Sequence, residues 1–341
     1  MNGSSFRGVL VIITGIVSLP VMMVLASTLG EMPVSLSTTA KAIANGLRLS
    51  HFPLSPIEAG IIWQYRMSRA LMAACSGGGL ALCGVVLQAL LRNPLAEPYL
   101  LGISAGASTG AVCILLLGVG GGILTVSGGA FLGACGAFLI IIVLSRGLSD
   151  SPVRIILAGV AGTQLFNAVT ACVVSLSANA EQSRSVMFWL LGSLSGVRWP
   201  DALLALVVIV AGLLFILCYA RSLDTFGLGE EISSTLGTRV VRLRIILLLV
   251  TALMTAVIVS TIGAIGFVGL VIPHITKMLT GSSHLITIPV SFLLGAHFVI
   301  VSDIVSRTLI SHQVIPIGVI TALVGAPAFA LILYRRRERA L

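Results

Sequence analysis

Two arginines at the start of a long apolar run have the most informative spacing of any charged residues in the sequence. Arg66 and Arg69 are three residues apart, so they share one face if this stretch is helical. A guanidinium group can hold a carboxylate through two parallel hydrogen bonds, which suits docking to acidic side chains of a partner. The alternative is a pair of anchors that reach from a helix end toward water and lipid headgroups. The two arginines alone do not separate these interpretations.

A second charged pair lies near the end of a later apolar run. Asp303 and Arg307 are four residues apart, which also places them on one helix face. The spacing fits a local ion pair within one helix, and it fits a further docking arginine with an acidic neighbour. Both interpretations stay open at this point.

The longest polar connection, residues 220–242, contains the segment LGEEISSTLG. Acidic residues near its start and a glycine at its end predict a short helix. Such a helix is either an ordinary loop element or a surface that contacts a partner. The residues that define the segment are Leu228, Gly229, Glu230, Glu231, Leu236 and Gly237.

Three glycines recur every fourth residue, at Gly102, Gly106 and Gly110. On a helix they form one smooth face that a neighbouring helix can approach closely. Such faces usually serve helix packing. The alternative is that this face lines a pathway through the protein or moves during function.

Several kinds of chemistry find no support in the sequence. It contains no P-loop motif, no HExxH and no GxSxG, and its five histidines show no ligand spacing. The six cysteines all lie in apolar runs, which suits buried thiols better than metal ligands. No predicted membrane span carries a charged residue at its centre, where an ion-driven transporter usually keeps one. An ion-coupled transporter and an intramembrane enzyme are two possible functions of such a protein, and these absences count against both.

The composition indicates which class of protein holds the charged residues and glycines described above. Of 341 residues, 57% are hydrophobic and only 9% are charged, whereas a soluble domain carries about a quarter charged residues. We therefore predict an all-α polytopic membrane protein with a single transmembrane domain over residues 1–341. A span needs about 20 apolar residues, which gives about ten crossings: 8–29, 62–91, 96–118, 122–144, 153–177, 187–219, 243–263, 264–280, 285–306 and 314–334. Spans 2–5 and 7–10 could form an inverted repeat.

The distribution of basic residues predicts the orientation. Of the 20 lysines and arginines, seven fall on one side of the predicted membrane, which leaves thirteen for the side that holds both termini. Cytoplasmic loops carry the excess of basic residues, so both termini are predicted to be cytoplasmic. This topology also accounts for the net charge of +9 without any nucleic-acid partner. The seven residues are Lys41, Arg48, Arg66, Arg69, Arg184, Arg198 and Arg307.

Taken together, several segments resemble the permease subunit of ABC importers for iron–siderophore complexes, haem and vitamin B12, the FecCD type. They occur in the family order over almost the whole chain. The matching segments are RMSR at 66–69, Gln88 with RNPLAEP at 92–98, LGISAGA at 101–107, FWLLGSLSG at 188–196, LGEEISSTLG at 228–237, GAIGFVGLVIPHI at 263–275, Asp303 with Arg307, and IPIGVITALVGAPAF at 315–329.

The resemblance implies a type II importer in the bacterial inner membrane. Each permease has ten helices, and two permease chains, identical or related, enclose the pathway. Two ATPase subunits bind ATP and Mg²⁺, so this chain needs no cofactor. A soluble binding protein delivers the cargo, and its carboxylates meet the arginines that match Arg66, Arg69 and Arg307. The segment 228–237 matches the loop that rests on the ATPase.

The expected cargo is a ferric siderophore, with haem, vitamin B12 and molybdate as alternatives within the same machinery. Two positions depart from the family pattern. Ser68 stands where proline is usual between the paired arginines, and Lys277 stands where arginine is common. Neither departure removes a positive charge.

Overall fold

The computed structural model describes residues 3–30, 32, 34–145, 152–177, 179–227, 229–235, 239–310 and 313–338. The regular secondary structure within these residues is helical, apart from one isolated bridge between Ile310 and Gln313. The helices are α1 (Gly3–Thr28), α2 (Leu36–Gly46), α3 (Pro56–Gly60), α4 (Ser68–Leu90), α5 (Ile103–Leu117), α6 (Val126–Leu144), α7 (Pro152–Ser177), α8 (Ala180–Leu190), α9 (Trp199–Cys218), α10 (Ala220–Phe226), α11 (Glu230–Thr235), α12 (Val240–Ile262), α13 (Val268–Thr280), α14 (His284–Thr308) and α15 (Ile317–Glu338). A π-helical stretch, Ile61–Met67, joins α3 to α4, and a 3₁₀ turn, Pro98–Leu101, precedes α5.

The number of membrane-crossing segments agrees with the prediction. Seven helical segments within the described residues are long and apolar enough to span a bilayer. Three shorter apolar helices, Ile103–Leu117, Val268–Thr280 and Ile317–Ile332, lie within the other three predicted spans, so the structure is roughly consistent with about ten crossings. The all-α polytopic class is therefore confirmed, while the inverted repeat stays a prediction.

Two predicted boundaries can be compared directly with the structure. The predicted span 187–219 was wrong at its start, because the chain turns at Gly192 and α9 begins only at Trp199. Gly192 has a φ of +77°, a conformation that glycine adopts without steric cost. The predicted turn within 243–280 is confirmed: α12 ends at Ile262, and Gly263 has a φ of +75°.

Helix α4 forms the centre of the bundle. In the most apolar stretch of the continuous helix Pro56–Leu90, 94% of the residues are buried. In the most apolar stretch of α1 only 6% of the residues are buried, so α1 lies at the outside of the bundle. Glycines let the neighbouring backbones approach α4 closely. A Cβ atom on Gly84 would lie 1.9 Å from the carbonyl oxygen of Gly269 in α13. A Cβ atom on Gly77 would similarly lie 2.1 Å from the carbonyl oxygen of Gly295 in α14.

Helix α14 runs parallel to α1, and the two helices define the two ends of the bundle. Gly8 of α1 packs against Ile286 near the start of α14, and Gly30 lies beside Arg307 near its end. We call the end with Arg66, Arg69 and Arg307 the arginine end. We call the opposite end, with α10, α11 and His284, the α11 end.

Candidate functional site

Arg66 closes the C-terminal end of α1. It lies in the π-helical stretch before α4 and donates hydrogen bonds to the carbonyl oxygens of Ser27 at 3.1 Å and Thr28 at 3.0 Å. A third bond from its guanidinium group reaches the carbonyl oxygen of Met32. The last carbonyls of a helix lack partners within the helix and carry partial negative charge, so a cation is favourable there.

Arg307 binds the same end of α1 from a different helix. Its Nη2 atom donates to the carbonyl oxygen of Ala26 at 3.0 Å, and its Nη1 atom donates to that of Leu29 at 2.8 Å. Two arginines that are distant in sequence therefore hold four consecutive carbonyls at the end of α1. This capping role did not follow from the sequence, because the fold brings the arginines to carbonyls that are distant in the chain. Arg66 is 38 and 39 residues from the carbonyls it binds in α1, and Arg307 is 278 and 281 residues from those it binds.

Asp303 links the remaining arginine to this group. Its Oδ1 atom accepts a hydrogen bond from Nε of Arg69 at 2.7 Å, and its Oδ2 atom lies 3.0 Å from Nη2 of Arg307. The Asp303 side chain is 1% exposed, and those of Arg69 and Arg307 are 13% and 8% exposed. The i,i+4 pair was one of the two interpretations of the sequence. The pairing with Arg69 was not anticipated, because 234 residues separate the two side chains.

The three predicted arginines line one pocket of about 240 Å³ at the arginine end. One buried carboxylate balances one of their three charges, so two positive charges are left uncompensated by Asp303. Such a pocket suits carboxylate groups, because guanidinium groups bind them with charge-assisted hydrogen bonds. The other lining residues are Gly30, Ile61, Tyr65 and Val314.

The predicted partner-contacting segment lies at the α11 end. Glu230 and Glu231 open α11, as the sequence predicted for a short helix, and Gly229 precedes it with a φ of +108°. Oγ of Ser233 lies 2.7 Å from the carbonyl oxygen of Gly229 and 2.6 Å from that of Thr225 in α10. The other residues assigned to the segment, Leu228, Leu236 and Gly237, lie outside the described residues.

The predicted glycine face packs against α6. A Cβ atom on Gly106 would lie 2.4 Å from the carbonyl oxygen of Gly133, and one on Gly110 would lie 2.1 Å from that of Gly129. Gly102 differs, since it precedes α5 with a φ of +63°. This geometry favours the packing interpretation for Gly106 and Gly110.

Two polar side chains in the middle of α7 are exposed. Gln164 and Asn167 lie on the outer surface of this chain, within a 26-residue apolar helix. An amide side chain that faces hydrocarbon without a hydrogen-bond partner costs several kcal/mol, of order 2–7 by transfer measurements. The face of α7 that carries them therefore calls for water or another protein surface rather than lipid.

Comparison with known proteins identifies the family. Residues 16–335 match the sequence profile of the FecCD transport family. A cobalamin import system permease, BtuC of Halobacterium salinarum, is 35% identical, with 95% of this chain and 96% of that protein covered. The vitamin B12 import permease BtuC of Klebsiella pneumoniae is 39% identical over 82% of this chain and 83% of its own length. An ABC transporter permease of Bacillus subtilis, YvrB, is also 39% identical, over 83% of this chain and 81% of its own length.

A solved structure agrees with the sequence match. An ABC transporter described as being of the metal-chelate type, in an inward-facing conformation, superposes with a TM-score of 0.82 at 29% identity. The alignment covers 95% of this chain and 98% of that one. The chain therefore belongs to the FecCD transport family and is a permease of an ABC importer.

Proposed function

We propose that this permease carries a metal chelate and that cobalamin is the first cargo to test. The observation that supports this proposal most strongly is the family match across residues 16–335, with several similar relatives named as cobalamin or vitamin B12 permeases. A ferric siderophore, expected from the sequence, is the second candidate. Haem and molybdate follow as further alternatives.

In this proposal the arginine end faces the outside of the cytoplasmic membrane. The excess of basic residues on the other side of the predicted topology supports this orientation. The α11 end then faces the cytoplasm together with both termini. Two ATPase subunits bind there, because the chain has no P-loop of its own with which to bind ATP.

A soluble binding protein docks at the arginine end in this proposal. Arg66, Arg69 and Arg307 converge on one pocket with two charges that Asp303 does not balance. Acidic side chains on the two lobes of the binding protein are complementary to this surface. The same arginines hold the end of α1, so docking and helix capping share one set of side chains.

A second permease chain, identical or related, covers the exposed polar face of α7. Gln164 and Asn167 then face an aqueous pathway between the two chains rather than lipid. Wetting by the pathway removes the cost of placing amide groups at this depth. Alternating access follows when ATP-driven movement at the α11 end opens and closes this pathway.

The docking proposal is tested by neutralising one arginine. Arg66→Gln removes a charge from the pocket, and its shorter side chain also loses the bonds that Nη1 makes to the carbonyls of α1, so the unfolding midpoint of the variant is measured alongside. Arg48→Gln, at an exposed position between α2 and α3, removes a charge outside the pocket and serves as the matched control. We expect Arg66→Gln to weaken binding-protein affinity about tenfold or more, because one charge complementary to the acidic partner is lost. Equal affinities for the two variants would show that Arg66 serves only to cap α1.

The cargo proposal is tested with the complete complex in lipid vesicles. ATP hydrolysis is measured after addition of binding protein loaded with cobalamin or with a ferric siderophore. We expect cobalamin to stimulate hydrolysis and to accumulate in the vesicles. Stimulation and accumulation with the ferric siderophore alone would assign the siderophore as cargo and overturn the cobalamin proposal.

A further inference from the structure

Asp224 joins α10 to the start of α14 through two contacts with one residue. Its Oδ1 atom accepts a hydrogen bond from the backbone N–H of His284 at 2.9 Å. The same oxygen lies 2.6 Å from Nδ1 of the His284 ring. An acceptor from α10 thus caps the first turn of α14, where backbone N–H groups lack partners within the helix.

Helix α10 is in turn fixed to α11 and to the core. Ser233 of α11 bonds to the carbonyl oxygen of Thr225 in α10 at 2.6 Å. Leu223 and Phe226 of α10 are 0% and 1% exposed, so the helix is packed into the bundle beside α4 and α14. A displacement of α11 therefore acts on α10, and through Asp224 on α14.

Helix α14 reaches from this contact to the arginine end. Its 25 residues give a length of about 37 Å at 1.5 Å per residue. At its far end Asp303 pairs with Arg69 of α4, and Arg307 caps α1. One helix thus carries a specific polar contact with the α11 end and another with the arginine end.

We propose that Asp224 is a positioning residue that couples α11 to α14 during the transport cycle. This inference rests on the proposed function, in which α11 contacts an ATPase. Movement of α11 on ATP binding shifts α10, the Asp224–His284 contact draws the start of α14 with it, and α14 carries the shift to the arginine end. Without Asp224 the two ends are less strongly coupled, although the helices are still formed.

Removing Asp224 lowers stability whether it only caps α14 or also couples α11 to α14. The test must therefore measure the coupling and not the stability. Asp224→Ala removes both contacts with His284. His284→Ala removes the ring contact and keeps the backbone bond. Asp201→Ala is the matched control, because Asp201 accepts a hydrogen bond from the backbone N–H of Arg198 at 3.1 Å and so caps α9 in a similar way.

The first readout is the amount of cargo transported per ATP hydrolysed by the reconstituted complex. We expect Asp224→Ala to lower this ratio by about tenfold, a typical size for allosteric coupling, while hydrolysis continues. His284→Ala should give an intermediate ratio, and Asp201→Ala should keep the wild-type ratio. A wild-type ratio for Asp224→Ala overturns the inference. Absence of ATP-driven uptake by the wild-type complex would instead overturn the proposed function.

The second readout follows the arginine end directly. Nitroxide labels are placed on Leu309, just after α14, and on Ile123, between α5 and α6; both side chains are well exposed. The six native cysteines are replaced beforehand. We expect ATP to change the distance between the labels in the wild-type complex and in Asp201→Ala, but not in Asp224→Ala. If Asp224→Ala does not fold, Asp224→Asn and His284→Ala decide the question, and a full ATP response in both refutes the coupling role.

Discussion

Replacing Asp303 by alanine tests whether the arginine end is held together as the structure indicates. The substitution removes the carboxylate that lies 2.7 Å from Arg69 and 3.0 Å from Arg307. Both guanidinium groups are then left largely buried without their anionic partner. We expect a large loss of stability, because an unpaired buried charge costs more than the pair contributes when intact.

The structure sets the expected size of this loss. Breaking a buried ion pair typically costs about 3–5 kcal/mol. We expect the lower end, about 3 kcal/mol, because Arg307 keeps its bonds to α1 and the Arg69 side chain is 13% exposed. Asp303→Asn keeps an accepting oxygen and should lose about 2 kcal/mol, the scale of one hydrogen bond to a charged group.

The assay is reversible unfolding in mixed micelles, followed by tryptophan fluorescence. Trp63 and Trp199 stack with their ring centroids 4.6 Å apart and report on the arginine end. Asp201→Ala, which removes a helix cap without breaking a buried ion pair, is the control and should lose about 1 kcal/mol. A loss for Asp303→Ala no greater than that of this control would refute the reasoning about the buried ion pairs.

Three further variants test packing, coupling and a long-range hydrogen bond. Gly84→Ala should destabilise the bundle by about 1–3 kcal/mol in the same unfolding assay through overpacking, whereas Gly136→Ala, at a site where a Cβ meets nothing within 4 Å, should not; equal stabilities would contradict the close helix contact. Glu230→Ala combined with Glu231→Ala should weaken cargo-stimulated ATP hydrolysis by the reconstituted complex, and unchanged stimulation would count against α11 as the ATPase contact. Tyr99→Phe should cost about 1 kcal/mol of stability, because its hydroxyl accepts a bond from the connection between α12 and α13; an unchanged unfolding midpoint would show that this bond contributes nothing.

The apolar, membrane-spanning helices could be predicted because hydrophobic run length is a local property. A bilayer imposes a minimum length on each span, and the sequence meets it ten times. The turn after Ile262 could also be predicted, because glycines follow it in the sequence. The short helix at Glu230 followed from its local residues in the same way.

The contacts between helix ends could not be predicted from local sequence in this way. Arg69 and Asp303, or Arg307 and Ala26, meet only because α4, α14 and α1 pack together, and no local pattern encodes that meeting. For this reason the arginines were interpreted as docking residues or surface anchors, while their capping of α1 was missed.

The helical stretch at α2 was missed for a different reason. Helices were predicted from the length of apolar runs, and the segment between α1 and α3 contains no run long enough to span a membrane. The structure shows helix Leu36–Gly46, with Ser35 as its N-cap; the Ser35 side chain accepts a bond from the N–H of Thr38 at 3.0 Å. A serine at the N-cap position is a helix start signal, and Ala40, Lys41 and Ala42 further along are good helix formers, so the helix could have been predicted.

Uptake of cobalamin into lipid vesicles tests the central claim most directly. The permease is reconstituted with its ATPase and binding protein, and labelled cobalamin is followed in the presence of ATP or a non-hydrolysable analogue. An ABC importer permease should give uptake only when the ATPase is present and ATP is hydrolysed. Uptake by the permease alone, driven by an ion gradient without any ATPase, would contradict the account.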